Sequence, residues 1–238
     1  MAKKTKSNSF ESSMTDLMIS LALIFMLLLA SVMLKLNNQA GELTQAKNDL
    51  IKELSDVLQD KMNSNIIVAA DEEDPLSLKI VLGENENTLK FEKGKQNLRT
   101  QDQKFLASLM PKIIDTIYKD EFRSSIDTIK IEGYTDDDKY VAQNYTNIEL
   151  SQDRALAVLN HTRKNCIKDP LKKEFFIDKA SINGKGDLEK YWIKNSDGSC
   201  NKDKSRRVEI KIKIKSKDEE KLEKQIVTEN TGKITKIE

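Results

Sequence analysis

The sequence predicts a mixed α/β protein with a single N-terminal transmembrane helix, a helical neck and an outer α/β sandwich. Three observations support this fold class. Residues 17–34 contain no charged residue, no Pro and no Gly. Apolar residues alternate with polar ones at 76–82 and at 207–215, which is the period of a strand with one buried face. Helical apolar stripes lie between these two strands, so helices should cover a sheet.

Residues 14–36 are the predicted membrane span. A helix rises about 1.5 Å per residue, so a segment of this length approaches the roughly 30 Å hydrocarbon core of a bilayer. The segment before it, residues 1–13, contains Lys3, Lys4 and Lys6. Basic residues beside a span favour the cytoplasmic side, so the chain after the span should lie outside the inner membrane. A cleaved signal peptide is the alternative, but the apolar run is longer than usual and Ala30 has no second small residue to complete a cleavage site.

Asp16 is the one charged residue at the N-terminal end of this span, and two interpretations stay open. In the first, its carboxylate lies among lipid headgroups and interacts favourably with the positive end of the helix dipole. In the second, it faces a partner helix, where desolvation favours the neutral carboxyl group and allows reversible binding of an ion. Ser20 lies one turn later on the same helix face.

The neck, residues 37–64, is predicted to be a helix because it lacks Pro and contains only Gly41. Apolar residues recur every seven positions, at Leu36, Leu43, Leu50 and Val57. This is a heptad signal for pairing with a second copy of the chain, although Lys47 and Lys61 interrupt the seam. An amphipathic linker helix that does not pair is the alternative. Residues 63–75 are predicted to be a loop.

The outer domain, residues 76–215, alternates strands and helices along the chain. Strands are predicted at 76–82, 128–133, 180–183 and 207–215, and helices at 100–117 and 148–164. Thr100 and Gln103 suggest a capping box at the start of the first helix. Pro111 should bend or interrupt that helix, because it lacks an N–H group and clashes with the preceding turn. The charged tail, 216–238, should be a frayed helix or a disordered segment.

Composition argues against two functional classes. The net charge is only +1 and charged residues of both signs make up 33% of the chain, which disfavours a dedicated nucleic-acid-binding protein. The acidic run Asp136-Asp137-Asp138 has no His nearby, since the only His is His161. There is no Gly-rich phosphate loop and no nucleophile motif, so we expect no enzyme, no cofactor and no metal site.

Residues 129–159 contain the most informative motif. Gly133-Tyr134-Thr135-Asp136 follows a predicted strand, and Asn147-Ile148-Glu149-Leu150-Ser151-Gln152-Asp153-Arg154-Ala155 opens a predicted helix. This pattern resembles the peptidoglycan-binding domain of the OmpA/MotB family, which has G-[HY]-T-D and then N-x-x-L-S-x-x-R-A. The stretches LKFEKGKQNL at 89–98, NGKGD at 183–187 and SRRVEI at 205–210 resemble other family motifs in the same order.

The resemblance implies a site for the zwitterionic end of diaminopimelate in the wall peptide. By position, Asp136 would meet the ammonium group of the ligand and Arg154 its carboxylate, because the planar fork of Arg suits a carboxylate. Asn147 and Leu150 would shape the pocket. The alternative is that Asp136 and Arg154 only pair with each other. The loop after Asp136 departs from the family pattern, as does the segment 187–194, which lacks the usual Pro.

The whole layout resembles MotB, whose span begins with an aspartate like that of Thr15-Asp16-Leu17-Met18. The resemblance implies an inner-membrane dimer with a periplasmic outer domain, a multi-span MotA-like partner and peptidoglycan. It also implies that Asp16 carries ions. A passive envelope tether and an ExbD-like energy-transfer subunit are the alternatives. Cys166 and Cys200 are an even pair in a domain placed outside the cytoplasm, which permits a disulfide without requiring one.

Overall fold

The computed structural model describes residues 5–62, 66–82, 89, 91–139 and 146–215. The chain divides into two compact units, Met1–Glu42 and Leu43–Glu238. The predicted tail at 216–238 lies outside the described residues. The first helix, α1, covers Thr5–Met62 and supplies residues to both units.

The first unit is helical and strongly apolar. The part of α1 that begins at Ser13 is long and apolar enough to cross a membrane, with a mean hydropathy of 2.8 in its most apolar window. Its large side chains are exposed, including Leu17, Phe25 and Leu27. An apolar surface of this extent is unfavourable in water and is typical of a segment that contacts lipid or another protein. The predicted N-terminal apolar helix is confirmed.

The second unit is built on a five-stranded sheet in the order β1-β2-β5-β3-β4. β3 and β4 are parallel, and the other neighbouring pairs are antiparallel. The strands are β1 Ile66–Ala70, β2 Ser77–Leu82, β3 Ile126–Gly133, β4 Ala180–Gly184 and β5 Val208–Ile214. The helices after α1 are α2 Thr100–Ile117, α3 Asp120–Arg123, α4 Asn147–His161, α5 Pro170–Lys179 and α6 Lys202–Ser205.

The alternating isoleucines place one face of the sheet in the core. Ile212 of β5 lies opposite Leu78 of β2 and Ile129 of β3, and Ile210 is paired in the same way with Ile80 and Ile131. These side chains are fully buried and pack against the apolar faces of α2 and α4. The predicted α/β sandwich is therefore confirmed, and the four predicted strands are present with small shifts at their ends.

The strand β1 and the helices α3, α5 and α6 were not predicted. The segment 63–75 was expected to be a loop, but Ile66–Ala70 forms β1, which pairs with β2 at the edge of the sheet. Ile66 and Val68 are buried, while Ile67 between them is exposed. Because the exposed position is also apolar, the sequence shows no alternation there. The helix α5 was likewise missed; it begins with Pro170 and is capped by the carboxylate of Asp169.

The start and course of α2 differ from the prediction. The proposed Thr100–Gln103 capping box is wrong, because Asp102 accepts the backbone N–H of Arg99 at 3.1 Å and also pairs with its guanidinium at 2.7 Å. The helix runs through Pro111 without interruption. The predicted helix at 148–164 ends earlier, at His161, and continues as a short π-helix, Thr162–Cys166.

The second part of the neck belongs to the core of the outer unit. Leu50, Leu54 and Leu58 are almost completely buried and are part of its hydrophobic cluster. Their spacing of four residues differs from the predicted heptad seam, in which Leu50 was followed by Val57. Leu50 is therefore unavailable for pairing with a second copy. The amphipathic-linker interpretation fits residues 50–58 better than the paired seam.

Candidate functional site

The candidate site forms where the end of β3 meets the start of α4. Two glycines allow this close approach, since neither has a side chain between strand and helix. A Cβ atom on Gly133 would lie 1.9 Å from the carbonyl oxygen of Ser151, and one on Gly184 would lie 2.5 Å from that of Ile148. Ser151 adds a polar contact, because its Oγ accepts the backbone N–H of Gly186 at 3.0 Å. The end of β3, the end of β4 and the loop after β4 are thereby held against the first turns of α4.

Asp136 is buried, and its partner is Arg206. Arg206 Nη1 lies 2.5 Å from Asp136 Oδ2, and Nε of the same guanidinium donates to the carbonyl oxygen of Phe91 at 3.1 Å. Arg206 also pairs with the exposed carboxylate of Asp203. The expected alternative of an ion pair between Asp136 and Arg154 is wrong, because Arg206 occupies the position beside Asp136.

Arg154 is 1% exposed and uses its guanidinium to hold main-chain carbonyl groups. Nε donates to Lys95 O at 3.0 Å, Nη1 to Tyr134 O at 3.0 Å and Nη2 to Glu92 O at 3.2 Å. Its guanidinium carbon lies 5.2 Å from the ring centre of Phe91. Arg154 therefore joins the segment 91–95 to the end of β3, two residues before Asp136.

Asn147 and Leu150 complete the set of predicted site residues. Asn147 donates from Nδ2 to the carbonyl oxygen of Asp138 at 3.0 Å, which connects the acidic run to the first turn of α4. Leu150 is 3% exposed. The helix start is fixed by Thr146, whose Oγ1 accepts the backbone N–H of Ile148 and whose backbone N–H donates to Glu149. The structure thus brings Asp136, Asn147, Leu150 and Arg154 together around one loop-to-helix junction.

A rim of lysines neutralises the rest of the acidic run. Asp138 lies 2.7 Å from Lys93 Nζ and 2.6 Å from Lys202 Nζ, and Lys202 is also 3.6 Å from Asp137. Hydrogen bonds from Lys202 and Lys93 lower the pKa of the Asp138 carboxyl group to about 2. The Asp138 carboxylate is therefore charged at neutral pH and paired with both lysines.

A buried ionic cluster supports the end of β3 on the other face of the sheet. Lys211 Nζ lies 2.9 Å from Asp71 and 3.0 Å from Glu132, and all three residues are buried. Tyr134 donates its hydroxyl to Glu132 at 2.9 Å. Burial alone would raise the pKa of Glu132, but the hydrogen bonds from Lys211 and Tyr134 outweigh it and lower that pKa. Tyr134 is thereby fixed at both ends, since its carbonyl group accepts from Arg154.

The remaining predicted residues lie elsewhere. Asp16 belongs to the first unit, where its side chain is exposed. Cys166 and Cys200 are free thiols, so the permitted disulfide is not formed. Cys166 follows the C-terminal end of α4, whereas Cys200 contacts Ser205, the residue before the partner of Asp136.

Sequence reasoning missed the cations that surround the acidic run. Arg206 lies within the SRRVEI motif, but the motif alone does not distinguish it from Arg207, which pairs with Glu209 at 2.7 Å. Lys93 and Lys202 are far from Asp138 in the chain and belong to segments rich in lysine. Within the ranges that the structure describes, no group of three His, Cys, Asp or Glu side chains is arranged to hold a metal ion.

No family model matches the chain, and no curated protein matches it. Among solved structures, it is similar to a MotB-like protein from Desulfovibrio vulgaris, with a TM-score of 0.52 and 20% identity over 74% of this chain and 96% of that chain. It is also similar to a periplasmic domain of MotB, with a TM-score of 0.47 and 19% identity over 69% of this chain and 76% of that one. It is likewise similar to the periplasmic domain of Helicobacter pylori MotB, with a TM-score of 0.47 and 18% identity over 71% of this chain and 91% of that one. At these identities, the similarity to the Desulfovibrio protein establishes that the chain shares the fold of a MotB-like protein.

Proposed function

We propose that the chain is the MotB-like subunit of an ion-driven motor in the bacterial inner membrane, anchored to peptidoglycan by its outer domain. One observation supports this proposal above the others: a single acidic side chain, Asp16, directly precedes the charge-free apolar segment 17–34 of α1, in a chain whose outer unit has a MotB-like fold. A charge beside hydrocarbon is unfavourable unless a partner or a water path compensates for it. The partner is a multi-span MotA-like subunit, and the ion is a proton.

The proposed topology follows from the charges beside the apolar helix. Lys3, Lys4 and Lys6 keep the N-terminus in the cytoplasm, so the outer unit lies in the periplasm. The test uses a variant in which the two native cysteines, Cys166 and Cys200, are replaced by serine. In this variant, a cysteine introduced at the exposed position Ser196 should react with a membrane-impermeant maleimide in cells whose outer membrane has been permeabilised. A cysteine introduced at Ser7 should react only after lysis, and the reverse pattern would contradict this topology.

The proposed wall ligand is the zwitterionic end of diaminopimelate at the junction of β3 and α4. A carboxylate can accept several hydrogen bonds, so a ligand ammonium would share Asp136 with Arg206. The ligand carboxylate would approach Arg154, whose guanidinium is already held in position by three carbonyl groups. Because the Arg154 guanidinium is already held in place, it loses little conformational entropy when a ligand binds.

The wall proposal is tested by pull-down of the full-length protein with purified sacculi. Asp136→Asn keeps the shape of the side chain and removes its charge, so it should reduce binding about tenfold or more, as expected for loss of a charge-assisted hydrogen bond. Asp137→Asn is the matched control in the same acidic run and should bind like wild type. Equal binding by all three proteins would refute the assignment of Asp136.

The output of the motor is a narrower proposal, and we favour anti-phage defence. The absence of Trp before Asp16 and the highly charged segment 216–238 suit a flagellar MotB less well, and the match we favour is ZorB, the MotB-like subunit of Zorya systems. The partner would then be ZorA-like, and the subunit would be a homodimer. A flagellar-type stator and a passive tether are the alternatives. Copurification of the chain with a multi-span membrane protein tests the motor against the tether, because a tether needs no such partner.

A further inference from the structure

The strand β1 forms one edge of the sheet and lacks the features that usually protect such an edge. In the part of the chain that the structure describes, β1 has a neighbouring strand, β2, on one side only. Its sequence, IIVAA, contains no charged residue and no Pro. Ile67 is 56% exposed, and Ala70 is also exposed. Soluble proteins usually block an edge strand with lysines, prolines or bulges, because its unpaired backbone groups otherwise bind another strand.

The hydrogen-bond pattern shows which backbone groups of β1 face outward. The N–H group of Asp71 donates to the carbonyl oxygen of Ser77 at 2.9 Å, where the register of β1 and β2 continues past the end of β1. Bonded and non-bonded positions alternate along an antiparallel strand, so the odd-numbered residues of β1 are bonded to β2. The N–H and C=O groups of Ile66, Val68 and Ala70 therefore point away from the sheet.

These outward-facing groups are complementary to those of a second copy of β1. Two such strands, related by a two-fold axis at Val68, run antiparallel and place Ile66 of one copy opposite Ala70 of the other. Every outward N–H group then has a carbonyl partner. On the open face of the sheet, the exposed Ile67 packs beside Ala69 of the second copy and is removed from water. The strand carries no charge, so no like charges face each other.

The neck gives an independent reason for choosing a second copy as the occupant. Leu50 and Leu54 pack in the core of their own chain, so this part of the neck is not available to hold two outer units together. Residues 63–65 connect the end of α1 directly to β1. In a homodimer held by the apolar part of α1, this connection gives the two β1 strands a high effective concentration, at which a weak edge contact is sufficient. Resting on the homodimer of the proposed function, we infer that two copies pair through β1 and join their sheets into one.

Disulfide crosslinking of the full-length chain in isolated membranes tests this pairing and its register. Both native cysteines are first replaced by serine. In the inferred register, position 67 lies opposite position 69 of the second copy in a non-hydrogen-bonded pair, with Cα atoms about 4.5 Å apart, within reach of a disulfide. The double variant Ile67→Cys, Ala69→Cys should therefore form mostly disulfide-linked dimers on oxidation. Each single variant should stay monomeric on a non-reducing gel, because identical positions are about 8 Å apart.

Two controls distinguish the edge contact from random collisions and from a change in fold. The double variant Ser181→Cys, Asn183→Cys has the same spacing on β4, at the opposite edge of the sheet, and should not crosslink. Ala70→Pro, added to the double variant of β1, removes an N–H group that points outward, a position where an edge strand tolerates Pro. It should reduce crosslinking at least fivefold and leave the Trp192 fluorescence of the folded protein unchanged.

Coprecipitation of two differently tagged copies from the same membranes measures dimer formation independently of β1. A dimer whose β1 double variant crosslinks no better than the β4 control would overturn the inference and leave the proposed homodimer intact. Equal crosslinking by the single and double variants of β1, or full crosslinking in the presence of Ala70→Pro, would also overturn it. Absence of coprecipitation would refute the proposed homodimer and this inference together.

Discussion

Removing Asp136 should destabilise the outer unit, because it leaves the buried charge of Arg206 without its main partner. The Asp136 and Arg206 side chains are 6% and 13% exposed, and their charged atoms are 2.5 Å apart. Breaking a buried ion pair by deleting one member costs about 3–5 kcal/mol, because the other charge is left without a partner. Arg206 retains the exposed Asp203 as a second partner, so we expect Asp136→Ala to cost about 3 kcal/mol, at the lower end of this range.

A double-mutant cycle separates the pair from its surroundings. Asp136→Ala, Arg206→Ala and the double variant are unfolded with urea, and the transition is followed by fluorescence of Trp192, the only Trp in the chain. The double variant should be about 2 kcal/mol more stable than the sum of the single losses predicts. Additive losses, with no coupling beyond about 0.5 kcal/mol, would refute the assignment of Arg206 as the partner of Asp136.

Three further predictions concern the neck, the thiols and the response to acid. Leu54→Ala should destabilise the outer unit by about 2–5 kcal/mol in urea unfolding, because Leu54 is fully buried. Val57 is partly exposed, so Val57→Ala should cost less, and equal losses would contradict the packing of residues 50–58 in the core of the outer unit. Burial raises the pKa of the Cys166 thiol to about 11, so maleimide at pH 8 should react first with Cys200. Mass spectrometry identifies the labelled residue, and faster labelling of Cys166 would contradict this prediction. The pKa of Glu132 is lowered from 4.5, so its contribution to stability is complete above pH 4.5 and is lost as the pH falls towards the pKa of the folded state. Urea unfolding at several pH values should show this loss in wild type and a smaller one in Glu132→Gln.

The strands at the centre of the sheet could be predicted because burial on one face leaves a period of two in the sequence. Ile129 and Ile131 of β3, and Ile210 and Ile212 of β5, alternate with polar residues that face the other side. The edge strand β1 gives no such signal, since its exposed residue Ile67 is as apolar as its buried neighbours. Whether this segment forms a strand depends on its place at the edge of the sheet and on the strand beside it, and a short stretch of sequence contains neither kind of information.

The candidate site was predicted in outline but not in its pairing. The motif places Asp136 and Arg154 at the same junction, which the structure confirms. Their partners depend on long-range contacts: Arg206 is 70 residues from Asp136, and two of the three carbonyl groups that hold Arg154 belong to a segment about 60 residues earlier. The spacing of residues within a motif does not identify which distant residue will be the partner. The same limit applies to the neck. Its heptad pattern indicated pairing with a second copy, with an unpaired linker helix as the alternative, but Leu50 packs within its own chain.

The central proposal is that Asp16 carries ions, and proton flux tests it most directly. The full-length chain and its multi-span partner are copurified, reconstituted in liposomes and examined with a pH-sensitive dye under an imposed membrane potential. Asp16→Asn keeps the shape of the side chain and removes its ability to bind and release a proton. Wild-type complexes should show a proton flux, and Asp16→Asn complexes should assemble equally well and show none. An Asp16→Asn complex that assembles and conducts protons like wild type would contradict the ion-carrying role.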